Sequence, residues 1–370
     1  MIKKFEVKNL NQKLSFTINF NNDLNILTGK NGTGKTSLLK LLWYLLSGKV
    51  DTAISELYFD YAQLETNTFK LEVNPETYIK FTYKDDEDNW VETEIDPLDN
   101  NFESFPLSRK REYFESRKEK LYQVSKFEKS VFFPTFRRIE GGFASSIDIF
   151  PRYRRTFEEE LDEVMSKFSR TLSDENHLFI TSISTNDIKE LLTEKYTKIS
   201  DFNNLLHSQM NKYITEEITR FDNNFVENAS QVLNNIKQKV IEVENKKKER
   251  FRNFEMLSNI VGTIFEDKGI KLSDSITLGD TAKALSSNLL SAGEKQMLSF
   301  LCYNLFFDNS SIFIDEPEIS LHVDWQRMFM NFLFSQETNN QYIITTHSPF
   351  ILSKYSDKEI LLSNDRGGDF

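Results

Sequence analysis

Residues 29–36 read GKNGTGKT, and this stretch decides the fold. It matches the pattern G-x-x-x-x-G-K-[ST], in which a glycine-rich turn joins a strand to a helix. The apolar run LNILT at 24–28 predicts the strand, and a leucine-rich segment at about 35–47 predicts the helix. The pattern therefore predicts a loop whose backbone N–H groups cradle phosphates at a helix N-terminus.

The side chains of this loop suit a nucleoside triphosphate bound with Mg²⁺. Glycines let the backbone curl with its N–H groups pointing inward. Lys35 can reach the β- and γ-phosphates, and the Thr36 hydroxyl can ligate the metal ion. Ser37 offers an alternate hydroxyl, but the spacing favours Thr36. The predicted nucleotide-binding residues are Gly29, Asn31, Gly32, Gly34, Lys35, Thr36 and Ser37.

A second motif, SIFIDE at 311–316, is an apolar strand that ends in two acids. Asp315 is expected to hold Mg²⁺ directly or through water. Glu316 is placed to polarise the attacking water, either as a general base or as an orienting group. Asp315 follows Lys35 by 280 positions, so a large insertion separates the two halves of the nucleotide site.

A third motif, LSAGEKQ at 290–296, predicts a helix that begins near Ala292 and is capped from within Asn288 to Ser291. A serine hydroxyl at a helix N-terminus makes a second phosphate site, with Gly293 allowing close approach. One nucleotide does not need two such sites from one chain, so this helix is expected to close over the γ-phosphate held by another copy. The alternative is an ordinary capped surface helix. The predicted binding residues here are Ser291, Gly293 and Glu294.

The fourth motif, IITTH at 343–347, is a strand that ends in His347. An imidazole at this place can sense or polarise the γ-phosphate or the attacking water, so His347 is predicted to be catalytic with Glu316. A structural histidine is the alternative. His322 is expected in a turn near the dimer seam, where a structural role is favoured, and His177 and His207 belong to no motif.

Composition excludes several classes of protein. Of the 370 residues, 39% are hydrophobic and 28% charged, a balance typical of a globular domain. The net charge of −11 argues against global steering toward nucleic acid, although a local basic groove remains compatible with it. The single cysteine, Cys302, is expected to be a buried thiol. No leader sequence or membrane-spanning run is evident, so we expect a soluble, cytoplasmic protein.

The chain divides into three stretches by pattern. Residues 1–150 begin with alternating strands and carry the glycine loop, 151–265 form a polar helical insertion, and 266–370 return to α/β patterning. The insertion is expected to contain two antiparallel helices of about 25–35 residues. The two outer stretches are expected to form one α/β lobe, interrupted by the insertion.

Taken in order, the four motifs resemble the ABC-type ATPase heads of the SMC/RecF-like class. GKNGTGKT is similar to their Walker A motif, LSAGEKQ to the ABC signature, IFIDEPEISLH to Walker B running into the D-loop, and TTHSP to the switch-histidine region. DEPEISLH and TTHSPF look most like the heads of overcoming-lysogenisation-defect proteins. FFPTFRRIE at 132–140 is similar to a segment in ATPases of anti-phage systems such as Septu and PARIS.

This resemblance implies an α/β P-loop head with a β-rich N-terminal lobe and a helical insertion. It further implies that ATP and Mg²⁺ are sandwiched between two copies, in a homodimer or a higher even oligomer. ATP would be hydrolysed there to ADP and phosphate. Slow turnover is compatible with this resemblance. The family's Q-loop glutamine has no evident counterpart near 133–138, and no ligand is carried over there. Arg137 is left as either a phosphate or partner contact or a surface ion pair.

The chain also departs from the families that it resembles. Because it ends 23 positions after His347, we expect it to lack the Toprim nuclease domain of overcoming-lysogenisation-defect proteins. We therefore expect a separate effector protein, with a nuclease as one candidate, switched in anti-phage defence. The alternative is a DNA-repair or chromosome-maintenance ATPase of the RecF/SMC type, for which 108–120 and 152–155 are the candidate basic surfaces for DNA. No membrane partner is expected.

Overall fold

The computed structural model describes residues 1–85, 87–95, 107–135, 138–139, 157–183, 185–221, 229–264 and 291–362. The chain forms two compact units, one made of Met1–Ile183 together with Ser291–Phe370, and the other of Ser184–Leu290. The boundaries inferred near 150 and 265 stay predictions. No described helix has the length and apolar character needed to span a bilayer.

The first unit opens with an antiparallel sheet of six strands, in the order β2-β1-β4-β5-β6-β7. The strands alternate buried and exposed positions, because one face of the sheet covers the core. Their bounds are β1 Ile2–Leu10, β2 Leu14–Asn19, β4 Tyr61–Thr66, β5 Phe69–Asn74, β6 Tyr78–Lys84 and β7 Trp90–Ile95. The alternating strands predicted at the start of the chain are confirmed.

A second, parallel sheet of six strands carries the motifs, in the order β10-β8-β12-β13-β3-β14. Its strands are β3 Leu24–Thr28, β8 Ser130–Phe133, β10 His177–Phe179, β12 Ser311–Asp315, β13 Gln341–Thr345 and β14 Glu359–Leu361. The central strands β3, β12 and β13 are buried along their whole length, as expected for a sheet covered on both faces. Strands from both ends of the sequence thus share one sheet, and the α/β fold is confirmed. A two-stranded sheet, β9 Arg138–Ile139 with β11 Ser182–Ile183, completes the set.

Helix α1, Lys35–Leu46, lies in the main hydrophobic core, which joins residues of both large sheets. All of Leu41–Leu46 is buried, so the helix is apolar nearly all round in its second half. The structure describes these further helices of this unit: α2 Val50–Glu56, α3 Leu107–Val124, α4 Phe157–Leu172, α7 Ala292–Phe306, α8 Val323–Phe334 and α9 Pro349–Leu352.

The second unit contains two long helices, α5 Thr185–Phe221 and α6 Ala229–Ile264. The ring of Tyr196 packs 5.8 Å from that of Phe254, and the Arg250 guanidinium lies 4.6 Å from the ring of Phe202. The later residue of α5 thus contacts the earlier residue of α6, so the two helices run antiparallel, as predicted. At 37 and 36 residues they are slightly longer than expected.

Candidate functional site

The glycine-rich loop joins the end of β3 to the start of α1. Gly34 caps the helix in the left-handed region, at φ 79°, where a residue with a Cβ atom would be strained. A Cβ atom at this position would also lie 2.5 Å from Leu14 Cδ1. The loop thus brings backbone N–H groups to the N-terminus of a buried helix, the geometry that binds phosphate.

Lys35 folds back over this loop. Its Nζ atom donates to the carbonyl oxygens of Gly29, at 2.9 Å, and Lys30, at 3.1 Å, and the residue is 6% exposed. Burial lowers the pKa of the Lys35 ammonium, and the neighbouring carboxylates, that of Glu316 first, oppose this shift. The lysine therefore lies in a partly desolvated place that attracts a further negative group.

The two hydroxyls that follow Lys35 differ in their surroundings. Ser37 Oγ accepts a hydrogen bond from Asn11 Nδ2 at 2.9 Å, which ties it to the antiparallel sheet. Thr36 is half-buried at the first turn of α1, and Asn31 is exposed in the loop. The engagement of Ser37 favours Thr36 as the hydroxyl for a metal ion.

Asp315 ends β12, in the middle of the parallel sheet, and is completely buried. Two hydroxyls donate to its carboxylate: Thr345 Oγ1 to Oδ1 and Thr135 Oγ1 to Oδ2. The carboxylate is thereby fixed from both neighbouring strands, β13 and β8. Thr135 lies in the region near 133–138, where no Q-loop glutamine is evident. The residue that contacts Asp315 from this region is therefore a threonine.

The donor set suits Mg²⁺, which prefers oxygen ligands and is usually held by one or two carboxylates together with substrate phosphates. Asp315 and Thr36 supply one carboxylate and one hydroxyl. Among the described residues, no group of three or more His, Cys, Asp or Glu side chains is arranged to hold a metal ion by itself. One carboxylate and one hydroxyl would suit a metal ion that arrives with a nucleotide, whose phosphates supply further oxygen ligands.

Glu316 begins the turn after β12 in the left-handed region, at φ 51°, a conformation that costs a non-glycine residue on the order of 1 kcal/mol. Its amide holds this conformation by donating to Thr345 O at 3.0 Å. Burial raises the pKa of the Glu316 carboxyl, and the carboxylates of Asp315 and Glu318 raise it further. A carboxylate of raised basicity suits the role of a proton acceptor.

His347 faces Glu316 from the loop after β13. Its Nε2 atom lies 3.9 Å from Glu316 Oε1, and its side chain is 40% exposed. Glu318 is hydrogen-bonded to this loop: its Oε1 accepts from the His347 amide at 2.6 Å and its Oε2 from the Thr346 hydroxyl at 2.8 Å. The structure therefore brings Lys35, Asp315, Glu316 and His347 together at one edge of the sheet.

A cavity of about 260 Å³ opens beside this edge. Gly29 and His347 line it on one side, and Pro349, Leu352 and Leu361 give it apolar walls. Gly29, the first glycine of the loop, is thus shared by the cavity and the phosphate-binding loop.

Ser291 caps helix α7, as predicted. Its Oγ accepts from Glu294 N at 3.4 Å, and Glu294 Oε2 accepts from Ser291 N at 2.6 Å, which is a capping box. Ser291 itself is exposed, so its hydroxyl is accessible to another molecule. Asn288, the other predicted cap, lies outside the described residues.

Contacts within the same chain explain why residue 293 is a glycine. A Cβ atom there would meet the Ser320 carbonyl oxygen at 2.3 Å. One turn later, the buried Gln296 donates from Nε2 to Pro317 O at 3.1 Å. The start of α7 is thus packed directly on the turn that follows Glu316.

The remaining candidates have structural roles or lie outside the described residues. His322 caps α8, accepting from Asp324 N at 3.4 Å, and His177 and Cys302 are buried in the core. In the candidate basic segment 108–120, Arg117 is 2% exposed and paired with Asp51. Arg137 and the segment 152–155 are not among the described residues, nor is the side chain of Arg138.

Three residues that organise the site are absent from the sequence predictions: Thr135, Thr345 and Glu318. Thr135 follows a buried apolar strand, which is a weak signal by itself. Glu318 stands three positions after Asp315 in DEPE, and an acid so close to two others is the one local signal that could have indicated its role.

A family model described as an AAA ATPase domain matches residues 1–352, nearly the whole chain. The chain belongs to this AAA ATPase domain family. A curated relative, the "Retron Vc95 probable ATPase" of Vibrio cholerae serotype O1 biovar El Tor, is 24% identical to the ATPase domain over 297 residues. That alignment covers 72% of the chain but 49% of the relative, so the chain spans about half the length of the curated relative it matches.

Solved structures similar to the ATPase domain include two kinds of protein. The Smc head domain of Pyrococcus furiosus, bound to the C-terminal domain of ScpA, is 16% identical with a TM-score of 0.36, covering 95% of this chain and 91% of that one. The recombination mediator protein RecF is 13% identical with a TM-score of 0.33, covering 95% and 94%. Because these TM-scores are low, the site is inferred from the residues of this chain alone.

Proposed function

We propose that this ATPase domain binds ATP with Mg²⁺ between two copies of itself, hydrolyses it, and uses the cycle to switch a separate effector protein in anti-phage defence. One observation carries the enzymatic part: the glycine loop with Lys35 lies at the same sheet edge as Asp315, Glu316 and His347. Carboxyl ends of parallel strands gather side chains in this way at ligand sites.

In this proposal the loop amides and Lys35 bind the β- and γ-phosphates, and Thr36 and Asp315 hold the metal ion. When bound, Mg²⁺ would supply charge neutralisation at the phosphate oxygens. Glu316 accepts a proton from water as the water oxygen forms a bond to the γ-phosphorus. The bond from that phosphorus to the β–γ bridging oxygen breaks, and ADP leaves with the electron pair.

His347 is proposed to hydrogen-bond to the attacking water or the γ-phosphate. It is exposed, beside Glu316, on the loop that follows the strand next to β12. These properties suit a group that contacts substrate only when the nucleotide is present.

The second copy is proposed to supply the Ser291 hydroxyl and the backbone N–H groups of Gly293 and Glu294 to the γ-phosphate. The exposed Ser291 hydroxyl and the N-terminus of the 15-residue helix α7 support this, because both favour an anion. Two equivalent nucleotides would then lie in a two-fold interface, and loss of the γ-phosphate would loosen it.

Two variants test the nucleotide cycle. Lys35→Ala should weaken ATP binding, whereas Glu316→Gln should retain ATP and accumulate as a dimer, because the Gln side chain accepts no proton. Light scattering coupled to gel filtration, with ATP and Mg²⁺, measures the mass. A Glu316→Gln protein that remains monomeric with saturating ATP and Mg²⁺ speaks against the shared site.

The defence role rests on the motif resemblance and on the similarity to a protein described as a probable retron ATPase. Its test is purification of the protein from its native gene neighbourhood, with identification of what accompanies it. A co-purified effector, such as a nuclease, is the expected result. ATP-dependent, salt-sensitive binding to DNA gaps or ends, with no accompanying protein, would favour the DNA-repair alternative.

A further inference from the structure

Glu318 lies two residues after Glu316, on the tight turn that follows β12. Ile319 N donates to Glu316 O at 3.3 Å and Leu321 N to Glu318 O at 3.1 Å, so the turn is closed by its own backbone. Pro317 between the two acids is buried. The backbone of the turn that carries the Glu318 side chain is therefore held by its own hydrogen bonds.

Both oxygens of the Glu318 carboxylate accept hydrogen bonds from the loop of His347. One oxygen accepts from the His347 amide at 2.6 Å and the other from the Thr346 hydroxyl at 2.8 Å. Thr346 Oγ1 in turn accepts from Ser348 N at 3.0 Å. A single carboxylate thus satisfies two donors at and beside His347 through charge-assisted hydrogen bonds, which are stronger than neutral ones.

A second contact holds the other side of His347. Ser348 Oγ donates to Gln326 Oε1 at 2.6 Å, and Gln326 Nε2 donates to Leu321 O at 2.9 Å. The His347 amide and the hydroxyls of the residues on both sides of it are therefore hydrogen-bonded to Glu318 and Gln326, while the imidazole faces Glu316 at 3.9 Å.

We propose that Glu318 is a positioning residue, whose carboxylate fixes the loop of His347 so that the imidazole meets the reacting groups beside Glu316. This inference rests on the proposed function, because it assigns Glu318 to the same site. Displacement of a substrate-contacting group by about 1 Å can lower a rate on the order of 100-fold, so a residue that never touches ATP can control turnover.

A matched pair of substitutions separates positioning from charge. In Glu318→Gln, the amide oxygen can accept from His347 N and the amide nitrogen can donate to Thr346 Oγ1, so both contacts persist without the charge. In Glu318→Ala both contacts are lost. Asp324→Asn serves as a control, since it removes an exposed carboxylate from the same segment.

The first measurement needs no nucleotide. Selective ¹⁵N-histidine labelling gives four backbone amide signals, one for each histidine, and His347→Ala identifies the one of interest. We expect this amide proton to move upfield in Glu318→Ala and to stay near its wild-type position in Glu318→Gln and Asp324→Asn. A signal that does not move in Glu318→Ala overturns the proposal, once circular dichroism shows that the variant is folded.

The second measurement is ATP turnover. Glu318→Ala should lower kcat about 100-fold with little change in KM, like His347→Ala, and Glu318→Gln should restore most of the rate. The double variant Glu318→Ala/His347→Ala should be no slower than His347→Ala, because nothing is left to position. An additive loss, or a Glu318→Gln protein as slow as Glu318→Ala, shows that Glu318 acts on its own and overturns the inference.

The experiments distinguish a wrong proposed function from a wrong role for Glu318. A wild-type protein that does not hydrolyse ATP overturns the proposed function, and the amide signal then decides alone whether Glu318 holds His347. An active wild type with an unmoved amide signal overturns only the role of Glu318.

Discussion

Glu316 and His347 face each other across the ends of two adjacent strands, with His347 Nε2 3.9 Å from Glu316 Oε1. The separation is too long for a direct hydrogen bond and too short for an atom to fit between the two side chains, so a shared group would bridge them from one side. Both residues belong to turns whose main chains are held, Glu316 by Thr345 and His347 by Glu318.

A pH profile follows from the raised pKa of Glu316. The carboxylate is the form that accepts a proton, so activity should be present above the folded-state pKa and lost as pH falls through it. We expect the acid limb of kcat/KM to lie above pH 4.5, the ordinary value for this group. The check is a steady-state profile with recovery after return to about pH 7.5; a rate that stays constant down to pH 4.5 would contradict the assignment.

Replacing Thr135 by valine should weaken the metal site. The change keeps the shape of the side chain but removes one of two hydroxyls that orient Asp315. Loss of such an indirect contact typically lowers metal affinity about 10-fold or more. The Mg²⁺ concentration that gives half-maximal thermal stabilisation with ATP should rise accordingly. Thr338→Val, a half-buried threonine bonded to Tyr342, is the matched control and should leave it unchanged.

The proposed role of Ser291 across the interface can be separated from its capping role. Ser291→Asp keeps a good N-cap, so α7 and the thermal midpoint should be preserved, but its charge repels a γ-phosphate. In the Glu316→Gln background this variant should bind ATP and remain monomeric, whereas Ser291→Thr should still dimerise. Dimer formation by both would remove Ser291 from the phosphate site.

The buried His177 should make the stability of the fold sensitive to acid. Its Nδ1 lies 2.7 Å from Ser130 Oγ and its Nε2 3.0 Å from the Ser125 carbonyl, and burial lowers its pKa to about 4. Between that value and about 6.5, the unfolded chain binds a proton that the folded chain does not, so stability falls as pH falls through this window. The loss at about pH 5, relative to about pH 7.5, should be about 2 kcal/mol.

Urea unfolding of wild type and His177→Gln at the two pH values measures that loss. The variant should be less stable at the higher pH but less sensitive to acid. Equal sensitivity in both proteins would show that other groups cause the acid loss.

Much of the site could be predicted from sequence, because its motifs are local. The glycine loop is a continuous pattern with a fixed strand before it and helix after it, and Asp315, Glu316 and His347 each stand at the end of an apolar strand. Parallel strands bring such ends to one edge, so their convergence followed from physics rather than from any single motif.

The partners of these residues could not be predicted in the same way. Thr135 contacts Asp315 only because β8 lies next to β12, and those strands are separated by the whole helical insertion. A threonine after a strand or a glutamate in a turn is common, and its role depends on which strand is adjacent. Strand order is therefore the information that the local patterns lacked.

The packing of Gly293 on Ser320, together with the Gln296–Pro317 hydrogen bond, has a consequence for a pair of copies. The surface proposed to touch a neighbour's nucleotide is packed directly on the turn that carries Glu316, the proposed proton acceptor of the same copy. Nucleotide binding at one site of the dimer should then alter the rate of ATP hydrolysis at the other site. The two sites would therefore not work independently. A mixed pair with one disabled copy should run at less than half the normal speed, a result that subunit-mixing experiments can read out.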